Sequence, residues 1–253
     1  MNNKQTNSAS RLYDILLKAY QQAENQQLIA IWGKVLGLEN ESPESSGFKV
    51  SEALSLIKSE IDFAESKMKL TEFSGALYEP YFTRCRRALS VTNLTTSWSS
   101  LRQNLKEDTL LCLRFCSEIL PKDDALIEKE ELEEILQIIH ELSEKLDDSV
   151  IPIALKELIR KQLSIIYTAI HKYPISGTKS LREGLREGMS AIVEEEDFIK
   201  ENIDIEEVST SLNIMAKFKK IGNGVIETDK IANATINIIE KVNKGIGLLE
   251  HFQ

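Results

Sequence analysis

Val50-Ser51-Glu52-Ala53-Leu54-Ser55-Leu56-Ile57-Lys58-Ser59-Glu60-Ile61-Asp62-Phe63-Ala64-Glu65-Ser66-Lys67-Met68 decides the fold class. Val50, Leu54, Ile57, Ile61, Ala64 and Met68 recur at intervals of 4, 3, 4, 3 and 4. That is the spacing of a heptad seam, which puts all six on one face of a helix and invites a long antiparallel or coiled-coil contact. No breaker interrupts the stretch.

The same period continues on both sides. Upstream, Leu12, Ile15, Leu16, Ala19 and Ala23, then Leu28, Ile31, Trp32, Val35 and Leu36, predict a helix capped by Ser8 or Ser10 and stopped at Gly37. The Ser-rich segment from Glu39 to Gly47, with Pro43 inside it, predicts a loop. Downstream, a third helix covers 72–89, with Pro80 kinking it or marking its first turn. A fourth carries Trp98, Leu101, Leu105, Leu111, Cys112, Phe115 and Ile119 and ends at Pro121.

Residues 127–194 predict a compact three-helix unit. Its first helix turns Leu132, Ile135, Leu136, Ile139, Leu142 and Leu146 inward, and its second runs from Leu155 to the turn Tyr173-Pro174-Ile175-Ser176-Gly177. The third contains Leu181, Leu185, Met189 and Ile192, with Ser180 and Glu183 spaced as a capping box. The acidic run from Glu194 to Asp197 reads as a solvated linker or helix end. Two amphipathic stretches follow, separated by Gly222-Asn223-Gly224. No strand-like alternation and no internal repeat stands out. The fold expected is therefore all-α, a multi-helix bundle of about eight or nine helices. It divides into an N-terminal bundle (8–120) and a C-terminal region (127–253), the latter an acidic unit (127–194) followed by an amphipathic tail (205–253).

Charge follows the same division. Residues 1–120 carry 14 basic and 14 acidic side chains, 121–207 carry 11 and 22, and 208–253 carry 6 and 4, for a net charge of −9. Such acidity argues against a general nucleic-acid binder, which needs a positive field for the phosphate backbone. The polar start of the chain predicts no secretory leader, and no apolar run approaches the ~20 residues of a membrane span. Cys85, Cys112 and Cys116 have no framework spacing and read as reduced thiols of a cytoplasmic protein, so the two sequons at Asn93 and Asn233 carry no meaning.

Chemistry-bearing patterns are sparse. His140 has Glu144 four residues on but no second such pair to complete a metal site, and His171 and His251 stand apart. Cys112 and Cys116 share a helix face and can be half of a soft-metal site or simply core, with any redox role requiring Cys85 alongside. No phosphate loop and no nucleophile elbow occurs. No catalytic residue, metal or cofactor is therefore expected. Arg84, Arg86 and Arg87, among Tyr81 and Phe82, form the densest basic-aromatic cluster. They can clamp an anion, or pair with Glu72, Glu79 or the acidic middle region. Gly184 and Gly188, beside Leu181 and Leu185, predict close helix packing or self-association. Phe218, Ile231, Ile238, Val242 and Leu249 mark the amphipathic tail, which fits a last packed hairpin, a partner or a membrane surface.

The stretch from Ile135 through Ile192, with its acidic helix, Pro-containing break, Leu158 to Tyr173, and Tyr-Pro-Ile-Ser-Gly leading into Leu181-Arg182-Glu183-Gly184-Leu185, resembles a group of uncharacterised bacterial all-helical proteins. The resemblance covers about a quarter of the chain, carries no catalytic residues, and implies an association with mobile-element and phage-defence neighbourhoods. The expectation for function is a non-enzymatic helical interaction protein: an adaptor, sensor or regulatory subunit with a protein partner or a second copy. Two alternatives stand beside it. One is a membrane-active effector whose basic tail (208–253) is shielded by the acidic middle. The other is an anionic-ligand sensor or enzyme using the arginines.

Overall fold

The structure, a computed structural model, describes residues 5–38, 43–91, 94–122 and 124–222, with side chains described for all but 5, 43–46, 125 and 222. It is all-α, with eleven helices among the described residues, nine of them seven residues or longer. Extended structure there is confined to a two-residue pairing of Gln5–Thr6 with Asp124–Ala125 and an isolated bridge between Gln27 and Ser97. The chain forms two compact units: residues 1–124 with Pro174–Gly177, and residues 125–173 with 178–253.

The first unit holds α1 (Ser8–Tyr20), α2 (Leu28–Val35), α3 (Pro43–Met68), a single 3-10 turn (Gly75–Leu77), α4 (Glu79–Ala88), α5 (Trp98–Arg102) and α6 (Glu107–Ile119). The heptad seam of α3 is its spine, and all six seam residues are buried. The helix starts earlier than its apolar pattern does. Pro43 opens it, because a residue without an N–H is suited to a first turn, so the expected loop loses residues 43–47 to helix, and 39–42 lie outside the described residues.

The expected first helix is two helices. The polar run Gln21 to Gln27 contributes nothing to bury, and the chain turns there between α1 and α2. The cap of α1 is Asn7, not Ser8 or Ser10. Its side chain accepts from Ser10 N–H at 2.9 Å, and the Ser10 hydroxyl accepts in return from Asn7 N–H at 3.0 Å. Asn7 Nδ2 also donates to Ser117 O and Leu120 O at 2.9 and 3.0 Å, so one buried amide closes the start of α1 and the end of α6. Gly37 does end α2, at φ +71.

The fourth expected helix is likewise broken, into α5 and α6. The start of α5 is fixed by a pairing between distant loops. Leu28 N–H donates to Thr96 O and Trp98 N–H to Gln26 O, both at 2.9 Å; Ile29 N–H donates to Leu94 O at 2.9 Å and Ser99 N–H to Glu24 O at 3.1 Å. The four bonds are reciprocal about the Gln27–Ser97 bridge, as a local two-fold would make them. The first N–H groups of α2 and α5 lack intrahelical partners by construction, and each loop supplies carbonyls to the other's helix. Neither Gln27 nor Ser97 makes a side-chain cap. Beneath the bridge, Trp32 and Trp98 meet edge to face with centroids 6.0 Å apart. The third expected helix shortens to α4, with Pro80 in its first turn and the 3-10 turn ahead of it.

Arg11 and Glu60 are buried charges of this unit. Arg11 Nη2 donates to Glu60 Oε2 at 3.1 Å, its Nη1 to Asp124, and its Nε to Ile175 O at 3.0 Å. A guanidinium buried to this extent is tolerable only when its donors are spent on carboxylates and a carbonyl.

The second unit holds α7 (Lys129–Asp148), α8 (Ile153–Ser176) up to Tyr173, α9 (Thr178–Glu194), α10 (Glu196–Glu201) and α11 (Glu206–Gly222); the last turn of α8, from Pro174, belongs to the first unit. Helix α8 does not stop at Tyr173. Pro174 is accommodated inside it, and the helix runs to Ser176, ending at Gly177 with φ +61. The bond from Arg11 occupies one of the last-turn carbonyls, which a helix end otherwise leaves open. Helix α9 then begins at Thr178, so Ser180 is a buried interior residue and not a cap. Helix α11 packs antiparallel to α7, as the pairs Lys217–Glu134 (2.5 Å) and Lys145–Glu206 (2.6 Å) require. Its apolar face, Leu212, Met215 and Phe218, is buried in the core of the unit.

Candidate interaction surface

Helix α6 carries two apolar stripes. Leu110, Leu113 and Leu120 turn into the first unit with Cys116, while Leu111 and Phe115, four residues apart, point out. Leu111 is 67% exposed. The run Leu110-Leu111-Cys112-Leu113 offers the helix more apolar residues than one face can bury, and the phase set by α6 starting at Glu107 chooses which stay outside.

The outward stripe is extended by other elements. Phe73 meets Phe115 edge to face at 5.5 Å. Cys112 Sγ lies 3.7 Å from Leu77 O, which holds the 3-10 turn against α6, and the Leu77 side chain is exposed. Leu70, 83% exposed, leads into the same loop from the end of α3. Phe73, Phe115 and Leu111 therefore make an exposed apolar surface on α6 and the loop before the 3-10 turn, with Leu70 and Leu77 also exposed in the same stretch of chain. Scattered surface leucines need no explanation, whereas a joined group containing two phenylalanines does.

The arginine cluster borders this surface and does not converge. Arg84 donates to Asp108 at 2.7 Å and lies over the Tyr81 ring, 5.2 Å from its centroid. Arg86 turns the other way, to Asp62 at 2.7 Å and to Glu65 on α3. Arg87 is exposed. The partners are thus Asp62, Glu65 and Asp108 rather than Glu72, Glu79 or the acidic middle region. The Arg84 bond holds the Asp108 carboxyl below its ordinary range. Burial pushes Asp62 upward, but hydrogen bonds from Lys58 and Arg86 outweigh it and hold the group low.

The three thiols are all buried and unoxidised. Burial pushes Cys85 up to about 12, with Cys112 adding to the shift. The Cys116 thiol, bonded to Cys112, is raised, and the same bond holds Cys112 below its usual value. Among the described residues no group of three or more His, Cys, Asp or Glu is placed to hold a metal ion. His140 Nε2 lies 3.4 Å from Glu144, and the His171 ring is 4.1 Å from that of Tyr167.

Gly184 and Gly188 lie inside the second unit with Leu181 and Leu185, all four buried. A Cβ on Gly184 would collide with that of Ala169 on α8, and one on Gly188 with the Met215 methyl on α11. The glycines are spent on letting α9 approach its two neighbours. Of the tail residues, Phe218 is buried on α11; Ile231, Ile238, Val242 and Leu249 lie outside the described residues.

No protein-family model, curated protein or solved structure matches this chain. Among the described residues, no helix is long and apolar enough to cross a membrane.

Proposed function

We propose that this chain is a non-enzymatic helical interaction protein, an adaptor, sensor or regulatory subunit, that binds a protein partner or a second copy through the first unit. The exposed apolar surface of Phe73, Leu111 and Phe115 carries the reading, because apolar side chains joined at a surface gain free energy when covered. A place in bacterial phage defence belongs to the same proposal and rests on the resemblance of 135–192 alone.

The test pairs the wild type with a Leu111→Asp/Phe115→Asp variant, both outward-facing positions. Size-exclusion chromatography with light scattering is run on each, with and without cell lysate. Self-association or a retained partner in the wild type, lost in the variant, supports the reading. A strict monomer that retains nothing, or retention equal in both proteins, removes it.

A second reading is favoured by the Lys217–Glu134 pair: a membrane-active effector whose basic C-terminal segment (208–253) is shielded by the acidic middle of the chain. Flotation of the full chain with anionic vesicles tests it, and failure to float counts against it.

A further inference from the structure

Helix α8 carries a stripe at heptad spacing that stays outside the core. Ile153, Glu157, Arg160, Ser164, Tyr167 and His171 follow at intervals of 4, 3, 4, 3 and 4, so all six share one side of the helix, and each is exposed. The same spacing on α3 is buried along its length. Arg160, Ser164 and Tyr167 also line an open groove of about 320 Å³, whose apolar floor is Leu136, Ile139 and Leu163. We propose that two copies of the chain pair here, α8 against α8, antiparallel and related by a two-fold axis at Arg160.

Self-complementarity selects a second copy as the occupant. In an isologous pair each residue stands opposite the one equally far on the other side of the axis. Ile153 and Tyr167 lie seven residues to either side of Arg160, about 10 Å each way. Ile153 of each copy therefore meets the Tyr167 ring of the other, and this happens at both ends of the contact. These are the two large apolar side chains of the stripe, 75% and 42% exposed. Covering them, and the groove floor beside them, removes apolar surface from water.

The charges fit the same axis. Glu157, one turn before Arg160, is exposed and has no ion pair among the described residues. Arg160 Nη2 donates to Asp147 Oδ1 at 2.7 Å, and a guanidinium has further donors to give. Across the axis Glu157 of one copy faces Arg160 of the other, twice. Each guanidinium then sits between its own Asp147 and Glu157 of the second copy, so two cations near the axis are interleaved with four carboxylates. A parallel pairing in register would oppose like charges instead.

The inference does not rest on the apolar surface of the first unit, and charge reversal in the full chain tests it. Light scattering across a series of protein concentrations should show a dimer for the wild type. Glu157→Arg and Arg160→Glu should each raise the dissociation constant at least about ten-fold, because each sets like charges across the axis. An equimolar mixture of the two variants should dimerise again, since opposite charges then meet at both crossings. Misfolding of one variant is not repaired by adding the other, so this rescue reports the interface alone. Tyr167→Ala should weaken the dimer about ten-fold, as loss of an aromatic anchor does. A wild type that stays monomeric, a mixture no more dimeric than its components, or an unchanged dissociation constant for Tyr167→Ala overturns the proposal. The Leu111→Asp/Phe115→Asp variant should keep this dimer. Its loss there would place the self-association on the first unit and overturn the proposal equally.

Discussion

Gln27 and Ser97 face each other across an antiparallel bridge, and the N–H groups just beyond each donate to carbonyls just before the other. Capping of α2 and α5 is thus done by backbone, and the Ser97 hydroxyl makes only exposed bonds to Glu24 O and the Ser99 hydroxyl. Ser97→Ala should cost less than about 0.5 kcal/mol, where loss of a serine cap ordinarily costs about 1 kcal/mol. Asn7→Ala should behave in the opposite way, at about 2–3 kcal/mol, because it orphans donors of α1 and carbonyls of α6 together. Urea midpoints of the two variants at constant m-value decide this.

Gly177 is required twice over. Its φ of +61 disfavours any side chain, and a Cβ there would fall 2.6 Å from both Arg11 Nη1 and Asp124 Oδ2. Gly177→Ala should destabilise by more than about 2 kcal/mol. Arg11→Met should cost about 3–5 kcal/mol, since it removes the guanidinium that bonds both Glu60 and Asp124. Adding Glu60→Gln to Arg11→Met should recover part of that loss in thermal unfolding.

Gly184 and Gly188 separate two kinds of close approach. Alanine improves helix propensity by about 1 kcal/mol at either position. At Gly184 the obstacle is the Cβ of Ala169, fixed to the α8 backbone; at Gly188 it is the end of the Met215 side chain, which can turn aside. Gly184→Ala should therefore destabilise by about 1–3 kcal/mol, and Gly188→Ala should come out near neutral. Equal melting temperatures for the two variants would contradict this.

The thiols give a pH dependence with a definite sign. The folded Cys85 value, about 12, lies above its ordinary 9.0, so the folded state keeps a proton that the unfolded chain gives up. Stability from this group is complete below pH 9 and declines as pH rises from there toward 12. Cys85→Ala should flatten that decline. A thiol-specific reagent at neutral pH should modify Cys112 first, because its thiol is held low and is the least buried of the three. All three should react rapidly in denaturant.

The α3 seam was fully legible in the sequence because six apolar residues at heptad spacing admit one helical phase. The starts of α2 and α5 were not, because they are set by hydrogen bonding between segments some seventy residues apart. Pro174 misled for a related reason: a proline marks a probable helix end, and tertiary contacts at Ile175 and Gly177 overrode it. Of the candidate surface, Leu111 and Phe115 were visible as apolar residues but not as exposed ones. The sequence period shows that a helix has an apolar side, and only the start of α6 settles which of two stripes is buried.

The mutual capping of α2 and α5 also orders events in time. Residues 24–29 cannot satisfy their own amides, and their partners emerge from the ribosome only after residue 99 has been made. Neither short helix is complete during synthesis of the first ninety-odd residues, and both close in one step when the second loop arrives. A contact so remote in sequence belongs late in folding, after the long α3 seam has formed, and mutations there should speed unfolding while leaving the folding rate nearly untouched.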